Sequence, residues 1–552
     1  MKFDFRVKIN TPLYYLLLIC YGRRYVYFVY GGNRMKKTRM LHQAGLLAVA
    51  LSTAVLFLAG CQASQKTKEN DVLIIGTTRN PATFDPSSSN DIPSNEIIRQ
   101  IFDTLLVMDY ETMEPVPSLA ERYALENHAD GQLRQIRLFL KQGVLFHNGD
   151  EMKASDVKFS LERAAISPQS TTVAAEIEGV DIIDDYQVVI ILKEPYAPML
   201  RNLTQTQLAI VSERAVQELG NDAFAQNPVG TGPMKFVKYQ AGDRVELTRW
   251  DGYWGEAPRM RNITFRIITD IMTQILELET GGVDIINSIP AHDIARIEAN
   301  PNLQVFRRPN TQFNYMGMNN KKAPFNDARV RRAIVHAIDR EALIANAWPG
   351  VGKLALGPMN STLWAAAGDQ LPPTEYNPEK ARQLLAEAGY PNGFSTTLAT
   401  NELAERVTIA QITRNMLAQV GINVDIQIME WAAYLDWTAR GEHDMFLLGW
   451  VVGTGDPHSA LEIYNSRSHG TAGNRSFISN PSLDRLLNLA RAEMDSAKRY
   501  DMYIEAQKII NNEMPVMPTW EGEVLAGARA DLRGFSLTPA NMHHYWTIWF
   551  EE

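Results

Sequence analysis

The side chains with the most chemistry to offer lie on loops in the second half of the chain. Thr400, Asn401 and Glu402 lead from a strand pattern at 395–399 into a helix pattern at 406–420 that Arg406 opens. The run from Trp450 to Asp456 follows a second apolar strand pattern at 444–450. In open α/β sheets, ligands settle beyond the carboxyl ends of strands, close to helix N-termini. An arginine there can hold a carboxylate through two parallel hydrogen bonds. Trp450 would add a flat apolar wall that tolerates varied side chains. Thr454 shares that loop with Asp456, the best available partner for an ammonium group. Asn474 and Arg475, after Gly473, form a further loop candidate for a carboxylate. Plainer readings stand beside these: Arg406 as an exposed helix residue near Glu405, and Trp364, Trp431 and Trp450 as packing.

Catalytic signatures are missing. The chain has no G-x-S-x-G elbow, no H-E-x-x-H and no complete phosphate loop; Leu354 follows Lys353 where a Ser or Thr would be needed. Ten histidines are scattered and only His543 and His544 adjoin. Neighbours on a strand point to opposite faces, so this pair reads as surface packing rather than a chelate. No cofactor, metal site or enzyme activity is expected.

The elements that must position the loops follow an α/β pattern. Residues 71–76, 187–192, 244–247 and 263–268 read as strands by their β-branched and apolar content. Asn377 with Pro378, and Asn480 with Pro481, each pair an N-cap with a proline at the first helical position. The stripes Ala381, Leu384, Leu385, Ala388 and Leu483, Leu486, Leu487, Ala490 then follow helical spacing, as do Val330, Ala333, Ile334, Ala337 and Ile338. Strand, helix and strand at 395–428 form a βαβ unit, which predicts mostly parallel sheets.

The N-terminal 60 residues differ from the rest. Met35, Lys36, Lys37 and Arg39 precede an apolar run at 44–58, and Leu58, Ala59, Gly60 and Cys61 close it. That order is a secretory signal, with an apolar run short for a membrane span. It resembles the lipobox of bacterial lipoproteins, in which the cysteine is lipidated, so Cys61 is the expected lipidation site. Residues 1–34 then read as a start-site extension, 35–60 as the signal peptide and 61–70 as a polar tether. Residues 1–60 hold nine of the 54 Lys/Arg and one of the 63 Asp/Glu, leaving 45 against 62, a formal charge of −17. So acidic a surface disfavours nucleic acid. Cys20 and Cys61 are the only cysteines, so the mature part has no disulfide.

Several segments together resemble the extracellular solute-binding proteins of the peptide and nickel class that serve ABC importers. They are FLKQGVLFHNG at 139–149 with ASDVKFS at 154–160, PVGTGP at 228–233 with Tyr253 and Trp254, and 319–341 with Pro324, Phe325 and Arg331. Tyr376 to Pro378 and the Gly449–Trp450 pair complete the set. The resemblance implies a two-lobe periplasmic-binding-protein-like fold of class II. The first lobe would hold 71–310 plus 518–552, with an extra subdomain at about 105–228, and the second 311–517. It implies a monomeric, lipid-anchored, exported protein facing the periplasm or cell exterior, which hands a short peptide to membrane permease subunits. A nickel chelate or haem is the alternative ligand on the same fold, and a secreted hydrolase is further off. Peptide binders of this family commonly carry an Asp three residues after the Trp of the Gly-Trp pair; here that position is Gly453. The 453–456 loop with Asn401 and Arg406 resembles the glutathione- or dipeptide-binding subgroup.

Overall fold

The computed structural model describes residues 19–21, 24–26 and 71–551. The lipobox, Met35 and Cys61 lie outside the described residues. In the N-terminal unit, Ile19–Tyr21 pairs antiparallel with Arg24–Val26.

The second unit, 69–552, is organised by one continuous sheet. Its strands run in the spatial order Met234–Gln240, Arg244–Arg249, Asn262–Ile267, Val72–Thr77, Ile285–Ile286, Val516–Arg529, Leu303–Met318, Met445–Val451, Ser395–Asn401 and Asn423–Met429. The first five build one lobe and the last three the other. The two long strands, Leu303–Met318 and Val516–Arg529, cross between the lobes as an antiparallel pair. Their register is irregular between Pro309 and Phe313 and again before Tyr315. Pro309 has no N–H to give a ladder, and such an irregularity lets paired strands bend. The two lobes therefore share a hinge built from sheet.

The sheet is mixed rather than mostly parallel. Parallel pairing is confined to Asn262–Ile267, Val72–Thr77 and Ile285–Ile286 in one lobe, and to Ser395–Asn401 with its two neighbours in the other. Crossover strands that leave and return between lobes must run antiparallel, and the 234–249 hairpin turns too tightly for anything else. A separate antiparallel sheet joins Ala120–Asn127, Leu133–Leu140, Gln187–Leu192 and Ile177–Asp184. It packs on the helix Ala154–Ala165 around its own core, with Leu138, Phe146, Val157, Leu161 and Ile190 fully enclosed.

Two of the resembling segments meet here. The His147 N–H donates to the Gly230 carbonyl, its Nε2 donates to the Gly232 carbonyl at 2.9 Å, and its Nδ1 accepts from the Gly230 N–H. A Cβ on Gly230 or Gly232 would stand 2.1 or 2.6 Å from the Ile101 carbonyl oxygen, so only glycine lets the strands of chain pass so closely.

The helices follow their caps. Asn377 accepts from the Lys380 N–H and Pro378–Glu387 buries Ala381, Leu384 and Leu385. Asn480 caps Pro481–Ala492, which buries Leu483, Leu487 and Ala490. Each enclosed leucine contributes on the order of 1.5–3 kcal/mol.

Candidate ligand-binding cleft

The carboxyl ends of the parallel strands of both lobes open toward the hinge. A cavity of about 240 Å³ lies there, lined by Asn287 and Ser288 just after Ile285–Ile286, by Asn310 and Gln312 on one crossover strand, and by Val451 of the second lobe. A second cavity of about 290 Å³ shares Ile92, Asn287, Ser288 and Asn541 with it and extends to Thr77, Thr78 and Glu96.

Arg406 stands in the first turn of Ala404–Ala418, whose N-cap, Leu403, has no capping side chain. Its Nη1 donates to Asn401 Oδ1 at 3.0 Å, and its guanidinium lies 5.6 Å from the Trp431 ring centre. Among the described residues no carboxylate comes within ion-pairing distance of Arg406 or of Arg475. Burial pulls both pKa values below the ordinary guanidinium value, and both charges act on Tyr315 and Tyr434. Arg475 is the more enclosed; its Nε donates to Thr438 Oγ1 at 3.1 Å. Gly449 explains itself here. A Cβ at this position would lie 2.7 Å from both Asn314 Oδ1 and Gln312 Nε2 and 3.5 Å from Arg406 Nη2. Glycine lets two amides and a guanidinium converge over the strand. Around them Leu403, Ile428, Trp431 and Val451 are all exposed at the strand ends, an apolar collar about a cation.

The sequence candidates divide. Asn401, Arg406 and Gln312 form one polar group, and Arg475, like Arg406, is a charged neighbour of Tyr315 and Tyr434. Glu402 is exposed on the same loop. Trp450 is half-buried; its Nε1 donates to the Ser459 carbonyl, and its ring packs over Gly473, so Trp431 is the tryptophan nearer Arg406.

Asp456 and Asn474 are corrected, and Thr454 is engaged within its own loop. Asp456 is fully buried and caps the helix Pro457–Leu461. Its two oxygens accept from Arg499 Nη2 at 2.9 and 3.2 Å, and Arg201 Nε lies 3.6 Å away. Fully enclosed and neutralised by two guanidiniums, this carboxylate is not presented to a ligand ammonium. Thr454 Oγ1 accepts from the Asp456 N–H. Asn474 donates to the Asn465 and Ile478 carbonyls and accepts from Ser476, which uses its whole amide within the loop. His543 is core rather than surface: its ring packs edge-on against Phe535 and Tyr545. No group of three metal-ligating side chains exists among the described residues.

Sequence reasoning passed over the first-lobe wall, Thr77, Thr78, Asn287 and Glu96. The strand-end rule applied to 71–76 would have found Thr77 and Thr78. Nothing local marks Asn287 or Glu96.

Two lobes with strand ends facing one another across a sheet hinge are the build of a binding protein that closes on a solute. The chain belongs to the bacterial extracellular solute-binding proteins, family 5, whose model matches residues 114–472. It is 31% identical over 513 residues to the glutathione-binding protein GsiB of Escherichia coli K12, covering 91% of this chain and 97% of that protein. It also superposes on the periplasmic binding protein DppA of Helicobacter pylori in complex with the peptide STSA. There the TM-score is 0.73 with 29% identity, over 87% of this chain and 98% of the other. A dipeptide-binding protein of Pseudoalteromonas sp. SM9913 in complex with Met-Leu gives a TM-score of 0.73 with 25% identity, over 87% and 100%.

Proposed function

We propose that this protein captures short peptides, glutathione-like ones among them, in the cleft between its lobes and delivers them to the permease of an ABC importer. The observation that carries the reading is Arg406: a half-buried guanidinium without a carboxylate partner, at an uncapped helix start, ringed by apolar side chains. That arrangement suits the terminal carboxylate of an otherwise variable, partly apolar ligand. The ligands bound by the relatives above point the same way. Arg475 is the second cation within reach of the same group. We further take the protein to act as a monomer, held at a membrane surface facing the periplasm or cell exterior by lipid on Cys61. No helix among the described residues is long and apolar enough to cross a membrane, which is compatible with such an anchor.

Calorimetry with di-, tri- and tetrapeptides tests the capture. Arg406→Ala should cost roughly 2–5 kcal/mol of binding, the range for stripping a buried charge of its partner. That is a loss of about thirtyfold or more. If peptides bind both proteins equally, Arg406 is misassigned. If no peptide binds but a nickel chelate or haem does, the ligand class is wrong. Labelled palmitate should enter the wild type and not Cys61→Ser; equal labelling would refute the anchor.

A further inference from the structure

The cleft holds a buried acid that the capture of a carboxylate leaves unused. The helix Ile92–Ile101, capped by Asp91, turns Glu96 inward until it is 4% exposed. Tyr545 and the Asn287 amide both donate to Glu96 Oε1. Glu96 Oε2 has no hydrogen-bond partner and no ion pair among the described residues. Asn287 Oδ1 is buried and has no donor among the described residues. Both side chains line the 290 Å³ cavity, with Thr77, Thr78 and Gln274. The other charged residue of that wall, Arg79, is exposed. Burial with no compensating cation lifts the Glu96 carboxyl to about 7. An enclosed acid and an orphaned acceptor on one cavity wall are costly to leave unpaired, and an ammonium group carries three donors and the charge to satisfy them.

We propose that Glu96 Oε2 and Asn287 Oδ1 receive the ammonium group of the ligand, doing from the first lobe what the absent acid at position 453 would do from the second. The inference rests on the peptide reading. The 290 Å³ cavity adjoins the one reaching Gln312, beside Arg406. A zwitterionic ligand lying along both cavities has its carboxylate on one lobe and its ammonium on the other. Each lobe then reads one end, and only a ligand with both charges bridges them.

The test uses the protein with Met-Leu, Ser-Thr-Ser-Ala and glutathione, each beside its N-acetylated form, on wild type and Glu96→Gln. Gln keeps the shape and an oxygen for Tyr545 and Asn287, and melting curves report whether the variant is folded. For whichever peptide binds, acetylation should weaken wild-type binding by about thirtyfold or more, the loss expected when a buried charge loses its partner. Glu96→Gln should weaken the free peptide to a similar degree and leave the acetylated one within about threefold. Equal wild-type affinity for the two forms overturns the proposal, as does a variant that still discriminates or that loses both forms alike. Binding without discrimination refutes the ammonium site alone. Failure of every free peptide to bind wild type refutes the capture reading, and this one with it.

Discussion

Asp456→Asn separates two roles for the same residue. Asn caps a helix about as well as Asp, so the hydrogen bond to the His458 N–H at 2.8 Å can be kept. What goes is the charge between Arg499 and Arg201, whose side chains are each 6% exposed. An exposed pair would contribute at most about 1 kcal/mol. Here two enclosed guanidiniums lose a carboxylate they share, although Arg201 keeps Glu114 at 3.0 Å and the Met113 carbonyl. Breaking a buried pair typically costs about 3–5 kcal/mol. The Arg499 pKa shows the strength of the grip: burial alone would lower it, yet Asp456 and Tyr503 hold it above the ordinary value. Urea unfolding should therefore show a midpoint well below wild type. Acetylated and free peptides should still be told apart by the variant. Unchanged stability together with lost discrimination would refute this reasoning, and would restore Asp456 as the ammonium partner that its loop position suggests.

Two further outcomes follow from described geometry. Gly449→Ala places a methyl within 2.7 Å of two amides and 3.5 Å of Arg406; peptide affinity should fall at least tenfold while the urea midpoint moves far less, and an unchanged affinity would show that the convergence is incidental. Burial holds the His147 pKa at about 4 against an ordinary 6.5, so the unfolded chain takes up a proton that the folded one refuses. Stability from this group is complete above pH 6.5 and is lost as pH falls from there toward 4, by up to about 1.4 kcal/mol per pH unit. Buried His443, His458, His543 and His544 are lowered in the same way, so His147→Gln should remove one group's share of the fall in urea midpoint between pH 7 and 4.5, and an unaltered slope would contradict the burial argument.

The local pattern carried the second lobe well. Proline-after-asparagine starts and apolar stripes located Pro378–Glu387 and Pro481–Ala492 to within a residue or two, because capping and amphipathic spacing are local physics. The place of Arg406 at a helix start was legible for the same reason: strand, loop and helix start lie within a dozen residues. Strand direction was not legible, since it depends on how distant segments return, and the crossover pair joins residues about two hundred or more apart. Asp456 was misread on account of Arg201 and Arg499, 255 and 43 residues away. Glu96 and Asn287 bond directly to each other across 191 positions and share Tyr545, contacts that no window of sequence contains.

The crossover strands also dictate an order of assembly. Val524, Ala526 and Ala528, then Leu532, Phe535, Tyr545 and Ile548, fill one core with Leu73, Ile75 and Phe265. The segment around Leu73 and Ile75 thus waits for another more than four hundred residues later. Until the last few dozen residues emerge, the first lobe lacks part of its interior and exposes apolar surface, whereas 313–517 can already bury most of its own. A chain built this way stays incompletely folded for nearly the whole of its synthesis, and losing its final twenty residues would open the interior of the half that begins it.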